Sequence, residues 1–105
     1  MATHYMGLKP QVLPFIANGS KDLEIRVADS KRNEIRTGDD IVFNNQHRRR
    51  VVAIRRYDFF ETMLQHEDAD RILPGHSSGW ILYALRGIYS PSAENLGVLV
   101  FEITM

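Results

Sequence analysis

The most regular polarity pattern in the chain runs from Asp22 to Val27. Leu23, Ile25 and Val27 alternate there with Asp22, Glu24 and Arg26. Period-two alternation predicts a strand with one apolar and one charged face. Upstream, His4 to Leu8 reads as a short first strand. Val12, Leu13 and Ile16 then stand at a helical spacing, behind Pro10 at a position that a first turn tolerates. Pro14 keeps that helix short or bent. Asn18-Gly19 ends it, glycine suiting the left-handed position after a helix.

Downstream, Asp29 to Arg36 predicts a turn of helix capped by Asp29 or Ser30. Thr37-Gly38-Asp39 is a tight turn whose Asp39 is expected to bond turn amides and fix the next strand. Ile41 to Phe43 reads as a strand, Asn44-Asn45 as a turn, and Arg48 to Tyr57, β-branched at its centre, as another strand. Asp58 is placed to cap a helix from Phe59 to Gln65 with Phe59, Phe60, Met63 and Leu64 as its apolar face. After a loop from Leu73, Ser78 is placed to cap a helix reaching Ile88, with Ile81, Leu82, Leu85 and Ile88 inward. Tyr89-Ser90-Pro91 stops it, and Gly97 to Ile103 forms a last strand. Helices so few and so irregularly placed do not give a regular α/β alternation. The pattern predicts an α+β fold: a small, partly closed β-barrel of about five to six strands with flanking helices. No repeat or linker marks a boundary, so residues 1–105 read as a single domain.

Composition narrows the chemistry. At 105 residues the chain suits one core. Its 44% apolar and 25% charged content is that of a folded chain. The absence of cysteine excludes disulfides, thiolate zinc sites, Fe–S clusters and a cysteine nucleophile. His4, His47, His66 and His76 lie far apart with no ligand spacing, so no metal and no cofactor are expected. No apolar run approaches a membrane span, and the N-terminus shows no secretory signal. These features point to a soluble protein of a reducing cytoplasm.

Thirteen basic residues balance thirteen acidic ones, which argues against coating nucleic acid by bulk charge. The charge is uneven, however. Arg48, Arg49, Arg50, Arg55 and Arg56 crowd one predicted strand, and Asp58, Glu61, Glu67, Asp68 and Asp70 follow it. Strand alternation lets only some of the arginines, Arg50 among them, share a face and hold a phosphate backbone. Otherwise they balance the acidic segment.

The densest polar constellation is Gly19-Ser20-Lys21-Asp22-Leu23-Glu24-Ile25-Arg26. Glu24 and Arg26, two apart on a strand, share a face, and Lys21 stands at the strand's mouth. If that face turns into a barrel, a Lys, a carboxylate and an Arg meet inside a cavity, where they must pair or meet a ligand. If it turns outward, they are simply solvated. Lys21 and Arg26 suit an anionic nucleotide group, and Glu24 suits the amino edge of a base. Trp80 and Tyr89 are candidates to stack a base, with Tyr83 a further one. Tyr57 and Phe60 fit core packing better.

The ordered set Gly19-x-Lys21-x-x-Glu24-x-Arg26, Gly38-Asp39-x-Ile41-x-Phe43, Tyr57-x-x-Phe60-x-x-Met63-Leu64, Ile88-Tyr89 and Gly97-Val98-Leu99 resembles the ASCH domain of the PUA-like superfamily, in its small stand-alone prokaryotic form. The resemblance spans about Leu8 to Ile103. It implies a barrel whose cleft is lined by the Gly-x-Lys-x-x-Glu-x-Arg segment, with RNA, a nucleotide or a nucleoside as partner. Ligand contacts are then expected from Lys21, Glu24, Arg26, Arg50, Trp80 and Tyr89. Some relatives hydrolyse N4-acetylcytidine with a Lys, a Thr and a Glu, and others cleave RNA. As a hydrolase of either kind the chain would use Lys21 and Glu24. The position of that Thr is Glu24 here, and no Asp or Glu stands between Asp70 and Glu94 to match the acidic group. An exposed barrel edge also offers a place for a second copy to pair as a homodimer.

Overall fold

Along the last strand, successive side chains enter two different cores. Leu99, Phe101 and Ile103 fill the hollow of a curled sheet, while Val98 and Val100 face a layer of helices. The structure is a computed structural model that describes residues 1–104. Its five strands are β1 (Thr3–Met6), β2 (Leu23–Val27), β3 (Asp40–Phe43), β4 (His47–Tyr57) and β5 (Val98–Thr104), in the order β1-β3-β4-β5-β2. β1 runs parallel to β3, and every other pair is antiparallel. β1 and β2 are the two edges, so the barrel stays half open along a seam between them. This is the α+β half-barrel that the alternating segments predict.

The inner core joins Met6, Ile41, Phe43, Val51 and Phe101 to Ile16 of helix α1 (Leu13–Ala17), which follows a 3-10 turn at Pro10–Val12. The outer core packs Leu23, Ile25 and Val27 against helices α2 (Phe60–His66), α3 (Ala69–Ile72) and α4 (Ser78–Ile88). A short α5 (Pro91–Glu94) leads into β5.

Several local expectations are corrected. Asp58 does not cap α2. The Phe60 amide instead donates to Glu94 Oε2 at 2.9 Å, a buried carboxylate brought from α5. Phe59, expected on the apolar face, is half exposed just before the helix. Ser77 rather than Ser78 caps α4, accepting from the Trp80 amide. Ile88, expected inward, stays 62% exposed, where it lines an open cavity. The polarity pattern predicts neither α3 nor α5, since four residues are too few for a helical period.

β4 carries a bulge, its register with β5 shifting between Val51 and Ala53. Before the bulge, Arg49 and Val51 face inward, and Arg48 and Arg50 face outward. Beyond it the parity reverses and Arg55 turns toward the helices.

Candidate ligand-binding cavity

The turn after α1 delivers Lys21. Gly19 takes φ of 81°, and the Lys21 amide then donates to Phe15 O at 3.0 Å. This places the Lys21 side chain inside the seam. Its Nζ donates to Leu23 O at 2.7 Å, to Ile72 O at 2.8 Å and to Glu24 Oε1 at 3.0 Å. Three acceptors thus match the three N–H groups of an ammonium.

Glu24 is the hub of the site. Its Oε2 accepts from Arg26 Nε at 2.7 Å while its Oε1 holds Lys21. Lys21 and Glu24 are 5% and 4% exposed, so both charges are buried. Burial alone would push the Glu24 carboxyl up, but the Lys21 and Arg26 charges outweigh it and hold it below its ordinary value. Arg26 is raised for the converse reason: burial opposes its charge and Glu24 more than compensates. Arg26 Nη2 also donates to Gly7 O at 3.0 Å, across the seam. Gly7 follows β1, and the next residue is held by Asn44, whose side-chain amide accepts from Leu8 N at 2.7 Å and donates to Leu8 O at 2.8 Å.

Above this floor opens a cavity of about 760 Å3. Its walls come from the Gly7–Phe15 segment on one side and from α4 with the loop before it on the other. Trp80, 48% exposed, forms the lip, with its ring centroid 4.2 Å from that of His76. Tyr89 lines the far end and packs against Phe60 at 5.9 Å between centroids. Burial raises the Tyr89 phenol above its ordinary pKa.

Of the residues singled out from the sequence, Lys21, Glu24, Arg26, Trp80 and Tyr89 all line this one cavity. Arg50 does not. It pairs with Asp40 at 3.4 Å on the outer sheet face, beside Arg48, which reaches the same carboxylate at 2.9 Å. Arg49 points the other way, to Ile16 O. Only Arg55 balances the acidic segment, through Glu67 and, on β5, Glu102. Phe60 is fully buried core, Tyr57 donates to Glu67, and Tyr83 stands 81% exposed away from the cavity. Asp39 behaves as its turn predicts. It accepts from Arg36 N, and also from Ala2 N and His4 Nε2, holding β1 to β3. Phe15, His76 and the Ile72 carbonyl, which also line the cavity or hold Lys21, leave no sign in the polarity pattern. The first two carry no motif, and the third belongs to the main chain of an unpredicted helix.

The family model of the ASCH domain matches residues 6–92, a span that contains every residue lining the cavity. No curated protein matches the chain. Among solved structures, the chain resembles the hypothetical protein PH0355, seen in a crystal structure. That match has a TM-score of 0.90 at 33% identity and covers 98% of this chain and 97% of the other. It also resembles protein PF0455 from Pyrococcus furiosus, solved by solution NMR, with a TM-score of 0.80 at 36% identity, covering 96% and 94%.

Proposed function

The chain belongs to the ASCH domain family, and on that footing we propose that it is a binding module of the cytoplasm for single-stranded RNA or a modified nucleoside. The cavity is of the size that takes such a ligand. The observation that carries the reading is the state of Arg26 at the cavity floor. Two of its N–H groups are used, one on Glu24 and one on Gly7. The rest of the guanidinium fork is free to hold a phosphate or a base carbonyl. Glu24 keeps lone pairs for an amino edge. Trp80 at the lip and Tyr89 farther along the wall supply flat surface on which a base would stack.

Binding is favoured over hydrolysis by what surrounds Lys21. Each of its N–H groups already has a protein acceptor. Among the described residues no Ser or Thr lines the cavity to serve as a nucleophile, and Glu24 is its one carboxylate. Glu94, the acid that ends α5, is occupied in capping α2.

The test is a paired assay of retention and turnover. The protein is incubated with short single-stranded RNA and with N4-acetylcytidine at low and moderate salt, with Lys21→Ala as control. Binding without product is expected. Product that disappears in Lys21→Ala would make the chain a hydrolase instead. Neither binding nor product would remove the nucleic-acid reading.

A further inference from the structure

Pairing with β5 fixes where the main-chain groups of β2 point. The Ile103 amide donates to Asp22 O, and the Ala28 amide donates to Gly97 O. With Glu24 opposite Phe101 and Arg26 opposite Leu99, the even-numbered residues of β2 are those bonded to β5. The N–H and C=O of Leu23, Ile25 and Val27 therefore turn to the free edge. Two of those carbonyls are already taken, that of Leu23 by Lys21 Nζ and that of Val27 by the Asp29 amide. Among the described residues nothing bonds the N–H or the C=O of Ile25, although Ile25 is 6% exposed.

The cavity reaches this edge. Glu24 and Arg26 point to the inner face of the sheet, and Ile25 packs in the outer core with Ile81 and Leu85. All three nevertheless line the same cavity. Consecutive side chains on opposite faces border one space only where that space runs past the strand's edge. The cavity thus exposes a buried, unpaired donor and acceptor side by side, which is a demand for a partner.

We infer that the Ile25 main chain reads the pairing edge of a nucleobase. Its N–H donates to a ring nitrogen or carbonyl of the base, and its C=O accepts from the neighbouring ring N–H or amino group. This rests on the nucleobase reading of the cavity and adds how the base is held. The Watson–Crick edge of every common base carries an adjacent donor and acceptor, which one extended residue can meet. A peptide adding as a strand needs complete pairs at alternate residues, and only Ile25 offers both groups. A base held this way must be unpaired, as in single-stranded RNA or a free nucleoside.

The test uses the whole chain, 15N-labelled, titrated with the four common ribonucleosides. Each is compared with a form methylated on its pairing edge. For the nucleoside that binds, the Ile25 amide resonance is expected to move among the most, and edge methylation to weaken binding at least about tenfold. Equal affinity for the methylated form overturns the inference. So do shifts at Lys21 and Trp80 that leave Ile25 unmoved. In both cases the base still occupies the cavity, so the functional reading survives. No shift at any cavity residue with any nucleoside or with short single-stranded RNA removes both.

Discussion

The Arg26 guanidinium and the Gly7 carbonyl meet at 3.0 Å across the open seam of the half-barrel. One stands on edge strand β2, and the other follows edge strand β1. Among the described residues no strand pairing closes this seam. A chain of charges does so instead, from Ile72 through Lys21, Glu24 and Arg26 to Gly7. The same groups that hold the seam form the floor of the cavity, so stability and binding are coupled there.

Among the described residues Glu24 is the one carboxylate paired with both cations of this buried network. Glu24→Ala is expected to destabilise the fold by about 3–5 kcal/mol, as when one partner of a buried pair is removed. Glu24→Gln, which keeps the shape and one acceptor, should cost less. Urea unfolding of the variants measures both. A loss below about 1 kcal/mol for Glu24→Ala would mean that solvent reaches the pair.

Arg26→Ala leaves Glu24 paired with Lys21, so it should weaken ligand binding more than it weakens the fold. Arg26→Lys should not restore affinity. A single ammonium lacks the fork that reaches Glu24 and Gly7 and still faces a ligand. Comparison of dissociation constants with unfolding midpoints separates the two effects.

Trp80→Ala should lower affinity for a base by about 1–3 kcal/mol, the range of an aromatic stack. Trp80 is 48% exposed and contacts His76, so the thermal midpoint should change little. A large fall in midpoint with unchanged affinity would make Trp80 a packing residue.

Asp39 carries a pH dependence. The His4 hydrogen bond, with the Arg36 and Ala2 amides, holds its carboxyl at about 2 against an ordinary 3.8. A depressed carboxylate stabilises fully above the unfolded value of 3.8 and loses that contribution as pH falls to about 2. Wild type should therefore be more stable than Asp39→Asn above this window, with the gap shrinking through it. Urea midpoints of both proteins across that range give the measurement. A gap that stays constant down to the acid end would show that Asp39 does not anchor β1.

Arg50→Ala should leave cavity binding unchanged, since Arg50 sits on the outer face and Asp40 keeps Arg48. A reduced salt dependence of RNA binding in this variant would instead place a phosphate on that face.

The strand carrying Glu24 and Arg26 was legible because alternation is a local signal. Asp22 to Val27 announces both its faces, and Gly19 announces the turn that delivers Lys21. What the pattern could not say is which face turns inward, because that depends on β5 pairing some eighty residues later. The bulge in β4 was invisible for a similar reason: Val51 to Ile54 is uniformly apolar, so no change of period marks where Arg48 and Arg50 part company with Arg55. Glu94 capping α2 and the Ile72 carbonyl holding Lys21 are tertiary contacts of short helices that leave no periodic trace.

The measurement that bears most directly on the cavity is a fluorescence titration, because Trp80 is the one tryptophan of the chain. Short single-stranded RNA and nucleoside monophosphates are added to wild type and to Arg26→Ala at fixed salt. A saturable change in wild-type emission is expected, with affinity at least about tenfold weaker in the variant. An identical titration of both proteins, or no change in either, would contradict the proposed binding.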